Sequence, residues 1–175
     1  MKKILVAGIM GLGLVGCSEY SVDNMSSAKI ITSQFDGARE IVAQKMPALV
    51  EGGWVANGVS FGAKWSDKEP NIVAFDVELN NTTTNLQELL LSIDGQITKH
   101  SAIGTFTNFG GTGNLRNSSR LFAVDVNTAK KLASSKDVKF KVVTLSNGYR
   151  EGVLISGEQI TPAAKSLINV INQIK

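Results

Sequence analysis

The stretch Val73-Ala74-Phe75-Asp76-Val77-Glu78-Leu79-Asn80 alternates large apolar side chains with small or polar ones. A β-strand turns successive side chains to opposite faces, so a period of two describes a strand with one buried face and one wet face. The polar run Asn80-Asn81-Thr82-Thr83-Thr84-Asn85 ends it, and Leu86–Ile93 resumes the apolar character. Asp94-Gly95 then supplies a two-residue hairpin turn, and Gln96–Ala102 returns. The Gly- and Asn-rich stretch Asn108–Asn117 is expected to be a loop, a weak candidate contact surface, because Gly and Asn favour turns. Leu121–Val126 is expected to be a strand with Phe122, Val124 and Val126 on one face.

The flanking segments fit the same architecture. Val138, Phe140 and Val142 alternate with Lys139 and Lys141, and Asn147-Gly148 closes a hairpin to Tyr149–Ile155. Asn127 is expected to cap a short helix, Thr128–Ser135, with Ala129, Leu132 and Ala133 inward. Thr161 followed by Pro162 opens a C-terminal helix whose Ala164, Leu167, Ile168, Ile171 and Ile174 share one face. Upstream, Lys29–Phe35 and Glu40–Val50 flank an Asp36-Gly37 turn, and Pro47 limits the second strand to an edge or a strand end. The expected fold is α+β, mainly β: an antiparallel sheet or sandwich of about 7–9 strands with a short helix and a C-terminal amphipathic helix. Residues 29–175 are expected to make one globular β-rich domain.

The N-terminus carries a different pattern. Lys2 and Lys3 form a charged head, and Ile4–Val15 form an apolar core of 12 residues. That core suits a secretory signal and is too short for a normal membrane span, which takes about 20 apolar residues. Leu14-Val15-Gly16-Cys17 follows, containing the only cysteine in the chain. These four residues resemble the lipobox of bacterial lipoproteins. The resemblance covers about the first twenty residues of the chain. It implies cleavage between Gly16 and Cys17, a diacylglycerol on the Cys17 sulfur, and an acyl chain (palmitate in kind) on the new amino group. Residues 1–16 would be a removed signal peptide, and residues 17–28 a lipidated N-terminus and tether. Acyl chains on Cys17 would anchor the protein to a membrane, since two or more chains hold stably where one is marginal. In Gram-negative members the residue after the cysteine directs sorting. Ser18 there implies the periplasmic face of the outer membrane.

Composition narrows the function. Removing residues 1–16 takes Lys+Arg from 18 to 16 against 15 acids, so the mature chain is near neutral. Nucleic acid as a partner would call for a basic stripe or a large positive charge. The apparent G-x-G-x-x-G of Gly11, Gly13 and Gly16 falls in the signal segment, outside any βαβ unit, and implies no dinucleotide. With Cys17 lipidated no thiol remains for catalysis. His100 is the only histidine, expected on the surface of a hairpin strand, and adjacent Ser101 points away from it. One histidine is also too few for an ordinary zinc site. Asp67, Glu69 and Asp76 form the nearest acidic cluster, without a calcium-loop pattern, and are expected to be turn-associated surface acids. No metal and no cofactor are implied. Trp54 and Trp65 are expected to finish a core rather than stack on a sugar.

Two functions remain. The first is a non-enzymatic binding or structural module, lipid-anchored in the bacterial envelope and facing the periplasm, with an envelope protein or peptidoglycan as partner. The alternative is an envelope hydrolase using Ser–Lys or paired-carboxylate chemistry, neither of which needs His or Cys.

Overall fold

The computed structural model describes residues 22–50, 58–112, 115–145 and 148–175. The signal segment, the Gly16–Cys17 cleavage site, Ser18, Trp54 and Asn147 lie outside the described residues. Strands β1 (Lys29–Thr32), β2 (Arg39–Pro47), β3 (Leu49–Val50), β4 (Val59–Ser66), β5 (Ile72–Asn80), β6 (Leu86–Ile93), β7 (Gln96–Thr112) and β8 (Leu115–Asp125) occupy the first two thirds. Strands β9 (Asp137–Thr144), β10 (Tyr149–Ser156) and β11 (Gln159–Ile160) follow. Three helices complete the fold: α1 (Val22–Met25), α2 (Val126–Ser134) and α3 (Pro162–Ile171).

Strand β5 shows why the sheet forms as it does. Val73, Phe75, Val77 and Leu79 are fully buried, while Ala74, Asp76 and Glu78 are half-buried on the other face. It lies between β4, with Trp65 opposite Val73, and β8, with Phe122 opposite Phe75. A slip of one residue would turn all four apolar side chains outward, so burial fixes the register.

The strands run antiparallel in the order β1-β2-β4-β5-β8-β7-β6-β9-β10-β11. The long strand β7 belongs to both halves: residues up to Ser101 pair with β6, and those from Ala102 onward pair with β8. Beyond Pro47 and Ala48 the chain continues as β3, which pairs Leu49 with Val153 and Val50 with Gly152 of β10. Strands near opposite ends of the order are thereby joined, because β3 extends the path of β2. Inside the curl, Phe61 of β4 meets Phe140 of β9 edge to face, ring centroids 4.9 Å apart. Leu79, Leu86, Leu89, Leu91 and Phe122 fill the space around them.

Helix α3 starts as expected: Thr161 Oγ1 accepts from Ala164 N at 3.2 Å, and Pro162 takes the first position. Its Ala164, Leu167, Val170 and Ile171 are buried, and it packs on β2 and β4. Helix α2 starts earlier than expected. Asp125, not Asn127, is its cap, accepting from Thr128 N at 3.0 Å, because β8 delivers Asp125 in an extended conformation to that position.

Three further expectations are corrected. Eleven strands are present among the described residues, more than the 7–9 expected, partly because β3 and β11 are two-residue pieces with no local pattern. Residues 22–28 are not a plain tether: Lys165 Nζ pairs with Asp23 at 2.7 Å, and Asn169 Nδ2 donates to Ser26 O at 3.0 Å, holding this segment on α3. The described part of Asn108–Asn117 is not a loop but the distal part of the β7–β8 hairpin, with Asn108 opposite Ser119 and Gly111 opposite Arg116. Ladder pairing with β8 overrides the turn preference of its residues. A left-handed Gly111, φ 90°, stands near the chain reversal.

Candidate functional site

The outer face of β6, β9 and β10 carries an apolar cleft of about 540 Å³. Alternation along each strand builds it. Leu89 and Leu91 turn inward on β6, which sends Leu90 and Ser92 out; Val138, Phe140 and Val142 do the same for Lys139 and Lys141 on β9. Leu90, Ile97, Val153 and Leu49 supply the apolar lining. The charged margin is Lys139, Lys141 and Glu151. Lys141 Nζ pairs with Glu151 at 3.0 Å and lies 3.9 Å from the Tyr149 ring centroid. Such a concave apolar surface with a few polar groups at its margin is a common form of binding site.

Ser92 and Lys139 are register partners across β6 and β9, and both line this cleft. A lysine serving as base must be desolvated and held as the free amine. Here Lys139 Nζ is largely exposed and pairs with Asp137 at 3.3 Å.

No family model, curated protein or solved structure matches the chain.

His100 lies elsewhere, on β7 near Asp125, and is buried at 6% exposure rather than on the surface. Its Nε2 is 2.8 Å from Thr98 Oγ1 and its Nδ1 3.3 Å from Ala123 O. A carbonyl can only accept, so Nδ1 carries a proton, while the Thr98 hydroxyl lies within reach of both Nε2 and Leu91 O, at 2.8 and 3.4 Å. The partner at Nδ1 is thus a backbone carbonyl, where a catalytic triad would place a carboxylate. Burial lowers the His100 pKa, against the hydrogen bond to Ala123 O and the charge of Asp125. A base whose folded pKa is lowered contributes its full stability above the unfolded value, about 6.5, and loses it as pH falls from there toward the folded value. Unfolding free energy is therefore expected to fall with acidification below pH 6.5, by at most about 1.4 kcal/mol per pH unit. Urea titrations at stepped pH should show this slope in the parent and not in His100→Gln. The lowered carboxylates Asp36, Asp94 and Asp125 lose their contributions only nearer their own unfolded values, below about pH 4–5.

Among the described residues no group of three His, Cys, Asp or Glu converges to hold a metal. Asp67 accepts from Arg39 N at 3.0 Å, whereas Asp76 shares Lys45 with Glu78, at 3.6 and 2.7 Å. Burial raises the Asp76 pKa, opposed by Lys45. Trp65 is a core residue, its indole N–H donating to Pro70 O at 3.1 Å.

Asn108–Asn117, the candidate contact surface by sequence, has its described residues in the distal part of the β7–β8 hairpin. Between Ile103 and Asn108 the register shifts, and Arg120 fixes this bulge by donating to Gly104 O and Thr105 O at 2.9 and 3.1 Å. The bulge leaves Phe106 82% exposed; Phe109 and Leu115 are exposed beyond it. These apolar side chains went unmarked in the sequence because the flanking Gly and Asn read as loop.

Proposed function

We propose that this chain is a lipid-anchored protein of the bacterial envelope whose β-rich domain binds a partner through the cleft on its outer face. Leu14-Val15-Gly16-Cys17 supports the anchor, and Ser18 supports the periplasmic face of the outer membrane. The observation that carries the binding reading is the cleft: Leu90, Ile97 and Val153 face outward, where a strand ordinarily places polar side chains. Apolar surface of this kind gains free energy when a partner covers it. The partner is an envelope protein or peptidoglycan with an apolar segment to place there.

The test is made in intact cells. Cys17→Ala should lose palmitate labelling and detergent-phase partition; retained labelling would sink the anchor. A photoreactive benzoylphenylalanine in place of exposed Ile97 should give one discrete adduct in the anchored chain, and Leu90→Asp should remove it. Adduct formation unaffected by Leu90→Asp would show that the cleft is not the contact.

A second reading, a hydrolase, would take Ser92 as nucleophile and the facing Lys139 as base, once Lys139 leaves Asp137. A fluorophosphonate probe separates the two: labelling lost in Ser92→Ala favours the hydrolase, and an unlabelled parent favours binding.

A further inference from the structure

We propose that the end of the sheet bearing Asn80, Asn117 and Tyr149 rests on a lipid surface, with Phe106, Phe109, Leu115 and Leu145 seated among the headgroups. The orientation argument within it rests on the lipid-anchor reading above.

Three segments meet at this end. Strand β5 finishes at Asn80 opposite Asn117, β6 begins at Leu86 opposite Thr144, and β10 begins at Tyr149 opposite Val143. Leu86 N donates to Thr107 Oγ1 at 3.1 Å, Leu145 N to Asn85 O at 2.9 Å, and Arg150 Nη1 to Asn80 O at 2.9 Å. These bonds tie 80–86, the distal β7–β8 hairpin and 144–150 into one rim. Leu115 is 73% and Leu145 64% exposed there, beside Phe106, Phe109 and Tyr149.

The charge on the rim leans positive. Arg116 is exposed beside Leu115, and the nearest acids, Glu78 and Glu88, pair with Lys45 at 2.7 Å and Lys99 at 3.5 Å. Exposed aromatic and aliphatic side chains beside an exposed cation, with the neighbouring carboxylates paired, match an anionic lipid surface. The placement of the apolar groups argues against a folded partner. Phe109 faces Ser118 across the hairpin and Leu115 faces Thr112, so the two project from opposite faces. A rigid partner meets one face, whereas a fluid surface reaches both. The ladder to β6 ends at Ser101. Beyond it that edge of β7 has no β6 partner, which keeps the rim at headgroup depth, since hydrocarbon does not tolerate open sheet edges.

The N-terminal path leads toward the same end. Lys29 pairs with Val42, Met25 O accepts from Gln44, and Asp23 pairs with Lys165 near the start of α3. Traced backward, the chain moves from the middle of β2 toward Pro47, whose cross-strand neighbour Ser60 pairs in turn with Glu78 near the Asn80 end. The six links from Asp23 back to Cys17 span at most about 20 Å. An anchor on Cys17 therefore keeps this end of the domain close to the bilayer.

The test uses residues 18–175, which contain every described residue of the fold and carry no acyl group or cysteine. Asn108→Cys, labelled with the environment-sensitive fluorophore NBD, is mixed with vesicles of phosphatidylethanolamine and phosphatidylglycerol at about 3:1. NBD emission should rise, and Phe106→Ser/Phe109→Ser should weaken vesicle binding at least about tenfold. Arg116→Glu should weaken binding to these vesicles more than to phosphatidylcholine ones. Unchanged emission at millimolar lipid would overturn the proposal, as would a rise that depends on protein concentration without lipid, which marks a second copy as the occupant. The two readings fail separately: palmitate labelling reports on Cys17, and NBD emission reports on the rim alone.

Discussion

Gly152→Ala is expected to destabilise the domain by about 3 kcal/mol, the upper part of the range for forcing atoms into a packed site. A Cβ at Gly152 would lie 2.2 Å from Leu49 O and 2.8 Å from Phe140 Cζ. The phenyl ring can turn a little, but the carbonyl belongs to the backbone of β3, so the strand itself must withdraw. Backbone conformation is not the reason for glycine here, because Gly152 lies outside the left-handed region. The residue is small because two chain segments touch. A fall of 3 kcal/mol should lower the melting temperature by roughly 6–12 °C at this size. Glu151→Ala, next door, removes a partly exposed pair with Lys141 and should cost less than about 1 kcal/mol. Equal urea midpoints for the two variants would show that β3 does not press on β10 in solution.

Phe61→Ala should cost about 3–5 kcal/mol, because a fully buried ring leaves a cavity that strands on both sides cannot close. The ring is also one half of the contact between the two halves of the sheet. Its neighbour Phe140 meets it at an interplanar angle of 67°, the arrangement in which a ring edge faces a π cloud. Phe140→Ala and the double variant complete a thermodynamic cycle, and a coupling of about 0.5–1.5 kcal/mol is expected from it. Strictly additive losses would mean that the rings only fill volume. A coupling near the upper value would show that their geometry helps to set the curl.

Some of this architecture could be read residue by residue. Val73 to Asn80 announced its strand because its two faces differ in solvent exposure, a local property. Asp94-Gly95 and Pro162 were readable for the same reason, each meeting a demand of its own turn or helix start. Strand β3 was merged with β2 in the apolar stretch Glu40–Val50, since two residues beyond Pro47 carry no period of their own and their partner lies about a hundred positions away. The β7–β8 hairpin was not legible because Gly and Asn have weak strand preference, and only pairing with β8 selects the extended form. The cleft was concealed inside the run Leu89-Leu90-Leu91, where the outward leucine looks like its inward neighbours. The burial of His100 depends on how its side of β7 is covered near Ala123 and α2, which no period along β7 reports.

The short ladder between β3 and β10 also bears on the order of events in folding. The hairpins β4–β5, β6–β7 and β9–β10 join neighbours in sequence and close short loops, whereas Leu49 must find Val153 across most of the domain. Closing so long a loop costs entropy before any reward arrives, so this pairing is among the last to form. Contacts made after the transition state govern unfolding rates more than folding rates. The Gly152 variant should therefore shift the unfolding limb of a chevron plot and leave the folding limb nearly in place. The two-residue ladder acts as a latch on the native state, setting how long the folded domain lasts rather than how fast it appears.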